Sequence, residues 1–229
     1  NDSERGGKLE LRDVHFRYPG GDGDAVCNIN LDIAAGEIVA LVGRNGAGKS
    51  TLAKLLAGFY QPDKGQILVD GRNLRDFEAD ARSRLVSLIP QTFGRYAVTV
   101  EENIAFGDWD RLHDNAAAVR DVARRAGVDD TIRAMPDGYN TVLGREFGGY
   151  EPSGGQWQQL DIARMMARDA PVLILDEPTA NLDVEAEYEL FQKLKLLTRG
   201  RTTLLISHRF STVSMADRIV VIDKGTIVE

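Results

Sequence analysis

Eight consecutive residues, Gly43-Arg44-Asn45-Gly46-Ala47-Gly48-Lys49-Ser50, have the composition of a loop that wraps phosphate. Glycines at 43, 46 and 48 let backbone N–H groups turn inward, and a following helix adds free donors and a positive dipole end. Lys49 can reach β- and γ-phosphates, and Ser50, followed by Thr51, offers a hydroxyl to Mg2+. Such a pattern arises by chance in on the order of one per cent of chains this long, so a bound nucleoside triphosphate is expected. A second run, Val172-Leu173-Ile174-Leu175-Asp176-Glu177, is apolar and ends in two acids. Asp176 suits Mg2+, a hard cation that takes oxygen ligands. Glu177 suits activation of an attacking water as general base. Two acids capping a strand would be unremarkable alone; beside a phosphate loop they point to hydrolysis.

These residues need a scaffold. Ile38 to Val42 before the loop is a short β-branched run, and Thr51 to Ala57 after it is apolar at helical spacing. Leu9 to Phe16 and Ile29 to Ile33 alternate apolar and polar residues, as strands of a half-exposed antiparallel sheet do. Further strands are predicted at Gln66–Val69 and Leu85–Ile89. From Thr99 to Ala126 the pattern is helical, and a glycine-rich loop, Gly144 to Gly155, leads into a helix over Gln156–Ala167. Val172–Leu175, Thr202–Ile206 and Arg218–Ile222 read as three largely apolar strands, with a helix predicted over Val184–Leu197. Continuous apolar strands alternating with helices imply a parallel sheet buried on both faces. The expected fold class is therefore α/β: a P-loop NTPase core, an N-terminal antiparallel β subdomain and an inserted α-helical subdomain. Residues 1–91 and 169–229 would form the nucleotide-binding core, and 92–168 the helical part, within one domain over 1–229.

Ser153-Gly154-Gly155-Gln156 opens the helix after the glycine-rich loop, about twenty residues before the strand that ends in Asp176-Glu177. A bare serine and two glycines at a helix start are usually a cap and a turn. In this position the chain resembles the nucleotide-binding domains of ATP-binding cassette (ABC) transporters, whose signature is LSGGQ, and the resemblance covers nearly its whole length. It implies that ATP binds at Gly43, Asn45, Gly46, Gly48, Lys49, Ser50 and Thr51, with Tyr18 stacked on adenine. It implies that Gln91, in Ile89-Pro90-Gln91, senses Mg2+ and water, and that Mg2+ is held by Ser50, Gln91 and Asp176. His208, in Ile206-Ser207-His208-Arg209, would contact the γ-phosphate, so Glu177, His208, Gln91 and Lys49 form the catalytic set. Asn181-Leu182-Asp183 matches a loop between two subunits. Ser153, Gly154, Gly155, Gln156 and Asp183 would then act in trans, on ATP held by a second nucleotide-binding domain. Thr99-Val100-Glu101-Glu102-Asn103-Ile104 and Ser207-His208-Arg209-Phe210-Ser211-Thr212 look like exporter segments.

The sequence departs from the family in three places. Pro152 replaces the signature leucine; Trp157 and Asp161 stand where arginine and a small apolar residue are usual. Gly144 to Tyr150 is longer than the exporter pattern before the signature. His15 and His113 match no motif and read as structural or surface residues, and Cys27 as a small packed hydrophobe.

The chain has 229 residues, 43% hydrophobic, with a net charge of −7, so nucleic acid is not a favoured partner. One cysteine excludes an internal disulfide framework and fits a reducing compartment. No apolar run approaches the roughly 18–20 residues that span a bilayer. Asn1 without a methionine, and Glu229 directly after a strand-like run, read as cuts through a longer protein. The resemblance then places the chain at the cytoplasmic face of a membrane, coupled to transmembrane domains encoded elsewhere. The alternatives are an ABC-type clamp in a soluble machine, a phosphotransferase, and a nucleotide switch with weak hydrolysis.

Overall fold

The structure, a computed structural model, describes residues 6–90, 94–145, 148–178 and 184–229. Gln91 and Asn181-Leu182-Asp183, named above, lie outside the described residues. In chain order the elements are β1 (Leu9–Phe16), β2 (Val26–Ile33), β3 (Ile38–Val42), α1 (Lys49–Leu56), β4 (Lys64–Val69), β5 (Arg72–Asn73), α2 (Ala79–Leu85) and β6 (Val86–Ile89). There follow α3 (Val100–Ala105), α4 (Trp109–Leu112), α5 (Ala116–Arg125), α6 (Asp129–Arg133) and α7 (Gly154–Arg168). The chain then forms β7 (Val172–Asp176), α8 (Val184–Thr198), β8 (Thr202–Ile206), α9 (Phe210–Val213), β9 (Arg218–Asp223) and β10 (Thr226–Ile227). They form two compact units, one of Asn1–Pro90, Ala170–Ala180 and Leu194–Glu229, the other of Gln91–Asp169 and Asn181–Lys193.

Two sheets make up the first unit. One is antiparallel, in the order β2-β1-β4-β5; the other runs β10-β9-β3-β8-β7-β6 and is parallel from β9 to β6. Every residue of β7 and of β8 is buried, which is why Val172–Leu175 and Leu204–Ile206 read as continuous apolar runs and not as alternating ones. In β2 the buried positions alternate, as expected of a sheet with one solvated face. Leu9, Leu11, Ile33, Leu41, Leu52, Leu55 and Ile174 belong to one core that draws on both sheets and on α1. The strand order places the C-terminal ends of β3, β8 and β7 side by side.

A bulge at Asp13 sets the outer strand pair. Asp13 has φ 48° and opposing Asn28 has φ 50°, and the β1–β2 register slips between Leu11 and Val14. Leu9 and Leu11 face the core, so a regular strand would next bury Asp13. The extra residue reverses the alternation: Val14 and Phe16 are buried and His15 turns outward. Asn30 ties the bulge down by accepting the Asp13 N–H at 2.9 Å and donating to the Asn28 side chain at 2.9 Å.

The second unit is helical, packed around Trp157, Ile104, Leu112, Val119 and Leu160. Sequence periodicity predicts one helical stretch over 99–126, but the structure breaks it into three. Gly107 forms one break; a Cβ there would lie 2.1 Å from the Arg164 carbonyl, so only glycine admits that approach. Asp114, at φ 57°, forms the other, and the Asn115 side chain caps α5. Thr99 and Glu102 form a capping box at the start of α3. Asn103 is fully buried and its amide donates to the carbonyls of Tyr96, Val98 and Thr99. The Thr99–Asn103 segment that looked exporter-like is thus, physically, a helix start locked to the chain before it.

Candidate functional site

The Gly43–Ser50 loop joins β3 to α1. Gly46 and Gly48 hold φ values of 80° and 106°, the left-handed region glycine enters freely. A Cβ on Gly43 would lie 2.2 Å from the Ile222 carbonyl, and one on Gly48 2.7 Å from the Ala25 carbonyl. The loop therefore needs its glycines both for conformation and for contact. Lys49 is buried, and its ammonium donates to the Gly43 and Arg44 carbonyls at 2.8 and 2.9 Å. That holds the cation over the loop's concave backbone. Gly225, in the turn after β9, braces the loop: its N–H donates to Ala47 O at 3.0 Å and its carbonyl accepts from Cys27 N–H at 2.8 Å. Gly48→Ala is expected to weaken ATP binding at least about tenfold and lower the melting temperature, by titration calorimetry and thermal unfolding.

Asp176 ends β7 paired with Ile206 of β8, and Glu177 N–H extends that ladder to the Ile206 carbonyl at 2.9 Å. Only 6% of Asp176 is exposed, and its Oδ1 is buried without a hydrogen-bond partner among the described residues. Burial pushes its carboxyl above the usual range, opposed by a hydrogen bond from Ser50. Asp176 and Ser50 are thus in contact, and the carboxylate oxygen Oδ1 is left for a cation. Glu177 sits at φ 50°, a strained conformation for a non-glycine residue and one that clusters at functional positions. Its carboxylate lies 3.5 Å from His208 Nδ1; the Glu177 side chain is 16% exposed and that of His208 67%. An acid and an imidazole therefore face each other across the ends of β7 and β8, one sheltered and one open.

Ser207 and Thr212, which the sequence shows only as part of the exporter-like segment, fix the turn carrying His208. Their hydroxyls bond at 2.5 Å, Ser207 Oγ accepts the Arg209 N–H, and Thr212 Oγ1 donates to the Arg209 carbonyl. Two buried hydroxyls five residues apart after an apolar strand were the available signal. Tyr18 lies half-buried with its hydroxyl 3.3 Å from Thr51 Oγ1. Its ring meets Phe16 and Tyr60 edge-on, at centroid distances of 5.0 and 5.3 Å, and Lys54 stands 5.8 Å from it. Tyr60 was also missed; an aromatic pair, Phe59-Tyr60, just past the end of α1 was its only mark.

In the helical unit Ser153 caps α7 through a box with Gln156: Gln156 N–H donates to Ser153 Oγ at 3.2 Å and Ser153 N–H to Gln156 Oε1 at 2.9 Å. Pro152 is buried just before the cap, and Trp157 is a core residue of this unit. Among the described residues a Cβ on Gly154 would meet nothing within 4 Å, and one on Gly155 only Ser153 Oγ at 3.9 Å. The preceding glycines do have local work: Gly144 and Gly148 take φ values of 96° and 73°, and Gly149 lies against the Val142 carbonyl.

A parallel sheet with a glycine loop between β3 and α1, and acids closing β7 two strands away, defines a P-loop nucleoside triphosphatase. A profile described as ABC transporter matches residues 26–180, and the chain belongs to that family. Within it the chain is the ATP-hydrolysing, nucleotide-binding domain, and its likeness is to exporters. It is 43% identical to an ATP-dependent lipid A-core flippase of Aromatoleum aromaticum and 44% identical to one of Escherichia coli K12. Each match covers 97% of this chain, but 36% and 38% of those proteins. A solved structure of a bacterial Atm1-family ABC exporter with ATP bound superposes with a TM-score of 0.85 at 34% identity, over 97% of this chain and 38% of that one. The chain thus spans a little over a third of the length of the relatives it matches. Among the described residues no helix is long and apolar enough to cross a membrane.

Proposed function

We propose that this domain hydrolyses ATP between two nucleotide-binding domains arranged head to tail. The cycle of closure and opening would power export through membrane segments of a larger protein, from the cytoplasmic face of a membrane. Residues 1–229 act as one ATPase domain, with 92–168 the helical part that carries Ser153–Gln156. Gly43, Asn45, Gly46, Gly48, Lys49, Ser50 and Thr51 enclose the phosphates, and Tyr18, edged by Tyr60, takes the adenine. Glu177 accepts the proton of the attacking water, and His208 lies against the γ-phosphate. The orphaned Oδ1 of Asp176 and the adjoining Ser50 hydroxyl fit Mg2+, with Gln91 as a further ligand. Bound there, Mg2+ neutralises charge on the transferring phosphoryl group. Gln91 and Asp183 carry their roles on the sequence resemblance alone.

The observation that carries the two-domain reading is the open space at Gly154. A glycine at the start of a helix weakens it relative to alanine, roughly by 0.5–1 kcal/mol in an interior turn. Neither its φ nor any neighbour among the described residues calls for one there. Close approach by a group outside the chain does, and a phosphate at a helix N-terminus is such a group. The reading is tested by mixing two inactive variants, Lys49→Ala and Ser153→Arg. In a head-to-tail pair one of the two mixed sites has an intact loop and an intact signature, so ATPase activity is expected to return on mixing. Activity in Ser153→Arg alone, or none on mixing, would overturn it.

A further inference from the structure

We propose that His15, Asp24 and Cys27 form a binding site for a zinc-class divalent cation, apart from the Mg2+ and ATP of the hydrolytic centre. Their ligating atoms all lie within 4.8 Å of one another, and His15 Nδ1 is 4.0 Å from Asp24 Oδ2. Ligand atoms about 2.0–2.3 Å from a common ion stand closer than this, so binding draws the cluster in by about an ångström of side-chain rotation. One sulfur, one imidazole nitrogen and one carboxylate oxygen is a donor set that suits zinc, with a fourth position open to water.

The second observation concerns the imidazole. His15 Nε2 lies 2.9 Å from Asp13 Oδ1. A carboxylate only accepts, so Nε2 carries the hydrogen, and in the neutral imidazole the lone pair is then on Nδ1, the nitrogen nearer Asp24. A carboxylate behind the far nitrogen of a ligating histidine is the recurring support of protein zinc sites. Arg17 occupies the other oxygen of Asp24 at 2.9 Å, which leaves Oδ2 as the atom facing His15. With Cys27 as thiolate, the charges of Asp13, Asp24, Cys27 and Arg17 sum to about −2, matching a dication. The bulge makes the arrangement: it turns His15 to the outer face, where the start of β2 brings Cys27 alongside.

The test is titration of the nucleotide-free protein with Co2+, read by the sulfur-to-cobalt charge-transfer absorption that oxygen ligands around Asp176 cannot give. The band is expected to saturate at a single equivalent and to disappear on adding Zn2+. It should be absent in Cys27→Ser, at least about tenfold weaker in binding in His15→Ala, and roughly 10–100-fold weaker in Asp13→Asn. Circular dichroism confirms that each variant is folded. No band in the wild type, or a His15→Ala titration that matches wild type, would overturn the site. In the second outcome cobalt would be sitting on the thiol alone.

Discussion

Glu177→Gln is expected to bind ATP with wild-type affinity, to lose hydrolysis by about 10²–10⁴-fold, the loss typical of removing a general base, and to accumulate as an ATP-bound pair of domains. Glutamine keeps the length and planarity of the side chain but has no lone pair basic enough to take the water's proton. Geometry is preserved because the backbone holds the position: the ladder to Ile206 continues through Glu177 N–H before the chain turns at φ 50°. ATP binding survives because the loop, Lys49 and Asp176 are untouched. Hydrolysis is the step that reopens the proposed pair, so blocking it traps the closed form. Sedimentation with and without ATP, together with phosphate release, reads both effects. A variant that hydrolyses at the wild-type rate excludes Glu177 as the base, and one that binds ATP yet stays monomeric at high concentration excludes the sandwich.

Arg164→Met is expected to destabilise the protein by about 3–5 kcal/mol, the usual effect of removing one partner of a buried ion pair. Arg164 pairs with Asp161 one turn earlier on α7, donates to the Gly94 carbonyl at 2.7 Å, and lies 5.0 Å over the Tyr96 ring. Burial pushes the Asp161 carboxyl up to about 6 while Arg164 pulls it back. Without Arg164 only burial remains, so that pKa rises further. An acid whose folded pKa lies above its unfolded value takes up protons on folding, and stability then falls as pH rises toward the folded pKa. The destabilisation relative to wild type is therefore expected to grow as pH rises from about 6 toward 8, where the wild-type carboxyl ionises beside Arg164 and the variant's has no partner. The double variant Arg164→Met/Asp161→Ala should recover part of it and lose that added pH dependence, since no uncompensated carboxylate remains. Urea unfolding across that pH range checks both statements. If Arg164→Met keeps wild-type stability at the alkaline end of the range, the pair is balanced by solvent.

What the sequence discloses here follows how local the physics is. The phosphate loop is legible because positive φ at Gly46 and Gly48 demands glycine, and β7 because burial on both faces demands an unbroken apolar run. The general location of Asp176 and Glu177 then follows from parallel-sheet topology. The helix α2 leaves no trace because none of its residues is buried, so it has no periodic apolar face to read. The breaks at Gly107 and Asp114 depend on a distant carbonyl and on a left-handed turn, neither visible in an alanine-rich run. Asp161 looks like an oddity until Gly94 and Tyr96 are known to hold its partner. His15 and Cys27 read as unrelated because a one-residue bulge decides which way the histidine points.

Gly225 makes a different kind of point. This one residue donates to the phosphate loop at Ala47 and accepts from the start of β2 at Cys27, and a Cβ on it would lie 3.0 Å from the Ala25 carbonyl. Three segments that are far apart in sequence therefore lack independent modes of local opening. Exposing the Cys27 amide to solvent means breaking a hydrogen bond to the same residue that braces the loop, so the two belong to one cooperative unit of native-state fluctuation. A ligand that quiets the loop quiets the edge of the antiparallel sheet as well, and a cation that stiffens β2 at Cys27 steadies the loop by the same thermodynamic linkage.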